Sequence, residues 1–358
     1  FFDAADCVPV SQVHLMADPE ALGPTGVAFL EELAAMPQAQ RRVRIPCVTD
    51  PRGVDFAAYK RLGQTEAMAD LERRATAAFR ALGVLMTDTC INYQTILPPV
   101  KGEHLAFGDT GSSIYANSVM GARTNFEGGP SALAAALTGR TARYGYHLDR
   151  HRRGTILFEV ADRPRDLAEW GALGAIVGRA MGSYWEVPVL TGLEGEPKPT
   201  SDELKQFGAA LASYGSTPLF HMAGVTPEAP DLRTVFDGPP SAARKLGKAD
   251  IAALMAGYRP KDDHLDVVVF AAPQLSLVEM QTLAAHLEGR HIAGSVALLA
   301  ATSPEIKSAA DRMGLTRRIE AAGGVVLEGV CFYQMYARDV GRANGWTRLM
   351  SNSAKIVN

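Results

Sequence analysis

Between Thr155 and Gly329 the chain keeps returning to one pattern: a short apolar run, a turn, then a longer amphipathic segment. The runs Thr155–Val160, Val187–Leu190, Pro218–Gly224, Asp266–Ala272, Ser295–Ala301 and Gly324–Gly329 read as buried strands. The segments Leu167–Met181, Ser201–Ser213, Lys248–Gly257, Ser276–Leu287, Pro304–Met313 and Leu315–Ala322 read as helices. Apolar strands separated by helices form parallel sheets under a helical cover, because a parallel neighbour is reached only through a crossover. Thr302-Ser303-Pro304-Glu305 has the composition of a strand-to-helix turn, with a capping hydroxyl and a proline in the first turn. The expected class is α/β, and in such folds ligands collect at the carboxyl ends of the strands.

The first third alternates less regularly. Thr25–Met36 reads as a helix through Val27, Leu30 and Leu33, and Arg42–Val48 as a strand running into a loop. Gln64–Leu82 predicts a long helix, since Ala67, Leu71, Ala75, Ala78 and Leu82 recur at spacings of three and four and Gly83 ends it. Val84–Met86 reads as a short strand with Thr87-Asp88-Thr89-Cys90 as its exit. Residues 102–130 are different: rich in glycine and small polar side chains, with little periodicity. A loop of that length is uncommon in a compact domain unless it has a function. Ser131–Thr138 then reads as a helix closed by Gly139. A chain of 358 residues has room for about two domains. The expected division is 1–150, carrying the glycine-rich loop, and 151–358.

Charge narrows the function. The 36 Lys and Arg nearly balance the 39 Asp and Glu, leaving a net charge of −3. That gives no electrostatic footprint for nucleic acid or an anionic membrane. No apolar run approaches the roughly 18–20 residues of a membrane span, so a cytoplasmic protein is expected. Phe1-Phe2-Asp3, without a Met, reads like the interior of a longer sequence.

No dinucleotide-binding glycine motif, P-loop, zincin helix or nucleophile elbow is present. The four cysteines, Cys7, Cys47, Cys90 and Cys331, are too few and too far apart for a disulfide scaffold. Cys90 follows a predicted strand, where a thiol can ligate a metal, act as a nucleophile or simply be buried. Cys331 stands at a strand exit as well. The 102–130 stretch concentrates Glu103, His104, Asp109, Ser112, Ser113, Asn117, Arg123, Thr124, Asn125 and Glu127. Its N–H groups and side-chain donors suit a carboxylate or phosphate, with Arg123 as a bidentate anion clamp. His221 ends an apolar strand, and such a histidine is either a satisfied core residue or a functional one. Asp149, His151 and the cluster Arg150–Arg153 read as a surface turn.

The segment Gly121-Ala122-Arg123-Thr124-Asn125-x-Glu127-Gly128-Gly129-Pro130-Ser131-Ala132-Leu133 makes the chain recognisable. It resembles the catalytic large subunit or domain of aconitase X, a divergent branch of the aconitase superfamily. Cys90, Gly102-Glu103-His104, Ala116-Asn117-Ser118, Thr138-Gly139-Arg140-Thr141, Thr226-Pro227-Glu228-Ala229 and Ser351-Asn352-Ser353-Ala354-Lys355 follow in the same order, so the resemblance spans essentially the whole chain. It implies an aconitase-like, multi-layer α/β fold with mostly parallel sheets flanked by helices. It also implies a hydro-lyase of the dehydratase type, acting on cis-3-hydroxy-L-proline in one branch and on mevalonate 5-phosphate in the other. Cys90-Ile91-Asn92-Tyr93-Gln94 and Gly108–Asn117 resemble the hydroxyproline branch more closely.

The resemblance implies an iron–sulfur cluster, of the 2Fe-2S type, or iron. Cys90 and Cys331 match two ligand positions. The third, a Cys-Pro pair in the phosphate-substrate branch, reads Ala272-Pro273 here, and Cys47 is the available replacement. That loss also leaves open a large subunit that binds without turnover. The resemblance further implies a small swivelling domain, absent from this chain, that contributes a catalytic serine. On this reading Arg123, Ser112, Ser113, Asn117, Thr124 and Asn125 bind the small-molecule substrate, and iron polarises the leaving hydroxyl. The partner's serine, or His104 or Asp109, takes the proton.

Overall fold

The computed structural model describes residues 3–260 and 262–358. Phe1 and Phe2, on which the interior-sequence reading rests, lie outside the described residues.

Three parallel sheets carry the fold. The first orders Cys47–Thr49, Val13–Leu15 and Ala106–Phe107. The second orders His221–Met222, Pro188–Thr191, Ile156–Val160 and Ala242–Leu246. The third orders Val325–Glu328, Ala297–Thr302, Val267–Leu275 and Leu349–Ser351. One antiparallel pair, Cys7–Pro9 with Arg140–Ala142, stands apart. This is the multi-layer α/β arrangement with parallel sheets flanked by helices that the sequence predicts.

The helices start and stop where side-chain chemistry dictates. Thr65 caps Glu66–Leu82 by accepting from Met68 N, and Gly83 closes it at φ 86°. Thr200, Ser276 and Ser303 cap Ser201–Gly215, Leu277–Leu287 and Pro304–Arg312 in the same way. Leu167–Ala180 and Ser201–Gly215 pack backbone to backbone. A Cβ on Gly174 would come within 2.2 Å of Phe207 O, so only glycine permits that approach. Buried Lys205 bonds Glu279 and, at 3.2 Å, Gln274 O, tying this helix to the third sheet. Among the described residues no helix is long and apolar enough to cross a membrane.

Several expectations are corrected. Residues 102–130 are not one loop: Ala106–Phe107 is a strand, and Thr110–Ser118 is a helix capped by Asp109. That helix is buried from Gly111 to Ser118, so it carries no amphipathic stripe to read. Arg42–Val48 shrinks to Cys47–Thr49, and Val84–Met86 to a single bridge between Val48 and Leu85. Asp149–Arg153 is no mere surface turn. Arg152 is buried, pairs with Glu228 and donates to Asn117 and Tyr146 O. His221 is a buried core histidine, its Nε2 donating to Arg152 O at 2.7 Å and its Nδ1 without a hydrogen-bond partner among the described residues.

Candidate active site

Parallel strands deliver their carboxyl ends to one place. Val13–Leu15 leads to Met16, Cys47–Thr49 to Asp50, and Ala106–Phe107 to Asp109. From the third sheet, Val267–Leu275 brings Ala272 and Gln274, Val325–Glu328 leads to Cys331, and Leu349–Ser351 leads to Lys355. Between them lies a pocket of about 270 Å³ whose walls include Cys90, Asp109, Ala272, Cys331, Gln334 and Lys355.

The two thiols are in hydrogen-bonding contact. The Cys90 thiol donates to Cys331, which raises Cys90 and lowers Cys331 against its burial, with Lys355 and the Tyr333 N–H also favouring the Cys331 thiolate. Asp109 Oδ2 accepts from Ser112 N at 2.8 Å, and Oδ1 lies 3.3 Å from Lys355 Nζ. Burial opposes ionisation of Asp109, but Lys355, His14 and the Ser112 N–H outweigh it and hold the carboxyl below its ordinary range. Burial likewise opposes the Lys355 charge, and Asp109, the thiol pair and Asp50 more than offset it. Cation and anion are therefore both charged at neutral pH. Behind them, burial and Asp109 push Asp50 well up, while Gln334 Nε2 donates to its Oδ2 at 2.5 Å. His14 Nε2 donates to Thr89 O at 2.7 Å, and burial keeps the ring's basicity low.

Of the residues read from the sequence, Cys90, Cys331 and Asp109 meet here, with Ser112 beside them, its Oγ donating to Cys90 O at 3.1 Å. The others do not reach the pocket. Ser113 Oγ donates to Phe107 O, and Asn117 donates to Thr124 O and Pro218 O. Thr124 bonds Phe107 N and Asn125 O, and Asn125 bonds Tyr146 N and Tyr144 O. These polar side chains satisfy buried backbone groups, which is what a polar residue inside a fold is held to do.

His104 and Arg123 sit at the amino end of the strand that delivers Asp109. Five residue steps of extended chain lead from His104 to Asp109, roughly 16 Å. His104 Nδ1 is 2.9 Å from His147 Nδ1, and Arg123 pairs with Asp149 and donates to His147 O. Burial, then Arg123 and Arg152, lower His104. Neither residue faces the thiols.

The iron centre fits in part. Cys90 and Cys331 supply two adjacent sulfur donors beside a polar pocket. Cys47 does not join them: it opens its strand opposite Val13, packs among Leu15, Ala75 and Phe79, and burial alone pushes its thiol up to about 12. A cluster on three cysteines of this chain is therefore not formed. Among the described residues no three His, Cys, Asp or Glu side chains converge as a metal-holding group.

Sequence reasoning missed the roles of Lys355, Asp50, His14, Gln274 and Gln334. For Lys355 the signal was present in Ser351–Lys355, a segment recognised only as part of the resemblance.

The chain matches family models along nearly its full length. Residues 1–150 match the aconitase X first domain, 154–256 the second and 265–358 the third. It is 36% identical over 342 residues to a phosphomevalonate dehydratase large subunit of Methanothermobacter thermautotrophicus, covering 95% of this chain and 80% of that one. It is 32% identical over 340 residues to a cis-3-hydroxy-L-proline dehydratase of Pseudomonas aeruginosa, covering 94% of this chain and 57% of that one. The crystal structure of Thermococcus kodakaraensis aconitase X in its holo-form superposes with a TM-score of 0.85 at 27% identity, over 99% of this chain and 85% of that one.

Proposed function

The chain belongs to the aconitase X family, and on that premise we propose that it is a dehydratase of a small hydroxy acid, cis-3-hydroxy-L-proline. The observation that supports this substrate is the charge inventory of the pocket. Its lining holds one cation, Lys355, and one acidic residue, Asp109, beside the thiol pair. A zwitterionic amino acid needs that complement: an ammonium for its carboxylate and a carboxylate for its ring nitrogen. A phosphorylated hydroxy acid carries more negative charge than one lysine balances. The second reading, phosphomevalonate, is supported by the relatives of that name at 31–36% identity.

In the proposed reaction C3 loses its hydroxyl and C2 a proton, together one water, and the enamine formed tautomerises to Δ1-pyrroline-2-carboxylate. Lys355 holds the carboxylate and draws electron density from C2, making its proton more acidic. Iron held by Cys90 and Cys331 would supply a Lewis acid for the departing hydroxyl. Asp109, ionised and paired, is a weak base and serves here as an anchor. The base is then the serine of the small swivelling domain that the resemblance implies, which also closes the pocket against water. Relatives named as large subunits are consistent with such a partner.

The test is an assay of the complete enzyme on both substrates. Turnover of cis-3-hydroxy-L-proline and none of phosphomevalonate is expected, and the reverse pattern replaces this reading with the second. This chain alone is expected to be inactive, and full turnover without the small component contradicts the two-part site.

A further inference from the structure

Gln274 is fully buried where the strand Val267–Leu275 breaks register with its neighbour, between Phe270 and Leu275. Every polar group it has is in use. Its Oε1 accepts from Cys90 N at 3.2 Å, and its Nε2 donates to Asp88 O and to Val330 O, both at 3.1 Å. Its own backbone N–H donates to Cys90 Sγ at 3.3 Å, and its carbonyl accepts from Lys205 at 3.2 Å. Three of these bonds fall on the loop that carries Cys90, one directly on its N–H and one on its Sγ. A fourth falls on Val330, the residue before Cys331.

We propose that Gln274 is the positioning residue of the thiol pair: one amide that locks the Cys90 loop and the Cys331 loop in register, so that the two sulfurs present themselves as a chelate. The proposal rests on the reading above only in taking that pair as the site. The chemistry selects an amide. Only Asn and Gln offer one planar acceptor beside two donors. The network also fixes which way the amide faces, because the reversed orientation would set its oxygen against two carbonyls. Glutamate has the same shape and no donor. The Lys205 contact gives Gln274 a backing from the helix Ser201–Gly215, so the break in the strand is held from both sides.

The test uses the metal-free full chain and phenylarsine oxide, which forms two arsenic–sulfur bonds with a dithiol and releases water. Its affinity, measured by displacement with a small competing dithiol, reads the fit of the two sulfurs and involves no substrate. Failure here is therefore distinguishable from failure of the dehydratase assay. Gln274→Ala and Gln274→Glu are each expected to weaken arsenical binding about tenfold or more, the consequence of leaving buried carbonyls unpartnered. Thr302→Val is the control, since it removes the buried bond from Thr302 Oγ1 to Leu275 O and touches neither thiol loop. It is expected to lower Tm and leave the affinity unchanged. Native affinity in either Gln274 variant, or a loss matched by Thr302→Val, overturns the proposal. A further readout needs no variant: the Cys90 amide of the native chain is expected to exchange hydrogen as slowly as the core strands. Rapid exchange there also overturns it.

Discussion

Lys355 Nζ stands 3.3 Å from Asp109 Oδ1, although 246 positions separate the two residues. One follows the last strand of the third sheet, and the other caps the helix that follows a strand of the first. The pair is thus a joint between two sheets as well as the proposed anchor for a zwitterionic substrate. Breaking it tests both roles.

Asp109→Asn keeps an N-cap of equal quality, so the helix Thr110–Ser118 is expected to persist by circular dichroism. The carboxylate proposed to receive the ring ammonium is gone. With a charged hydrogen bond worth about 1.5–3 kcal/mol, kcat/KM for cis-3-hydroxy-L-proline is expected to fall roughly 10–150-fold. An unchanged kcat/KM would remove Asp109 from substrate binding.

Iron content separates the cysteines. Cys90→Ser and Cys331→Ser are expected to abolish visible absorbance and bound iron in anaerobically purified enzyme. Cys47→Ser is expected to retain iron but lose stability by about 1–3 kcal/mol, because a hydroxyl replaces a thiol in an apolar core. Cys7 is exposed, and Cys7→Ser should change neither quantity. Loss of iron in Cys47→Ser at unchanged stability would restore the three-cysteine site.

Ala272 lines the same pocket as Cys90 and Cys331, with its backbone at φ 52°. A thiol at this position would complete a three-sulfur face. Ala272→Cys is expected to hold iron more tightly against a chelator than the native chain does. Equal retention would show that the third position faces away from the metal.

Glu72 supplies a pH dependence. Burial raises its carboxyl to about 8, with the Gly53 N–H and Arg52 opposing. The folded chain therefore keeps this proton longer than the unfolded chain. The stabilisation is full below about pH 4.5 and is lost as pH rises to about 8. Glu72→Gln keeps the acceptor for Gly53 and cannot ionise. Its Tm is expected to match the parent's at the acid end of that window and to exceed it by several degrees at the alkaline end, at about 2–4 °C per kcal/mol. Parallel Tm curves would contradict the assignment.

The second half of the fold was legible because its helices are capped by side chains the sequence displays, Thr200, Ser276 and Ser303 among them, and its strands are apolar on both faces. Ala242–Leu246 was not legible. It is an edge strand whose Arg244 and Lys245 face solvent, so nothing in its composition announces a sheet. The first sheet was hidden for another reason. Val13–Leu15 and Ala106–Phe107 are only two or three residues long, below the length at which alternation shows. The site was half legible. Cys90 and Cys331 read as strand-end thiols, and Asp109 as part of the polar, glycine-rich 102–130 stretch. His104 and Arg123 were picked from the same dense stretch, but an extended strand sends its two ends to opposite sides of a sheet. Linear proximity therefore said little about which residues share a pocket.

The central claim is that substrate binds and reacts at the thiol end of that strand, with Lys355 as its carboxylate anchor. Turnover of cis-3-hydroxy-L-proline by the complete enzyme, measured side by side for Lys355→Met and Arg123→Met, tests it most directly. Lys355→Met is expected to lose roughly 10–150-fold in kcat/KM, while Arg123→Met, which breaks only a contact to Asp149 and His147, is expected to keep kcat/KM near the native value. A native rate in Lys355→Met with collapse in Arg123→Met would move the site to the opposite end of the strand and contradict the account.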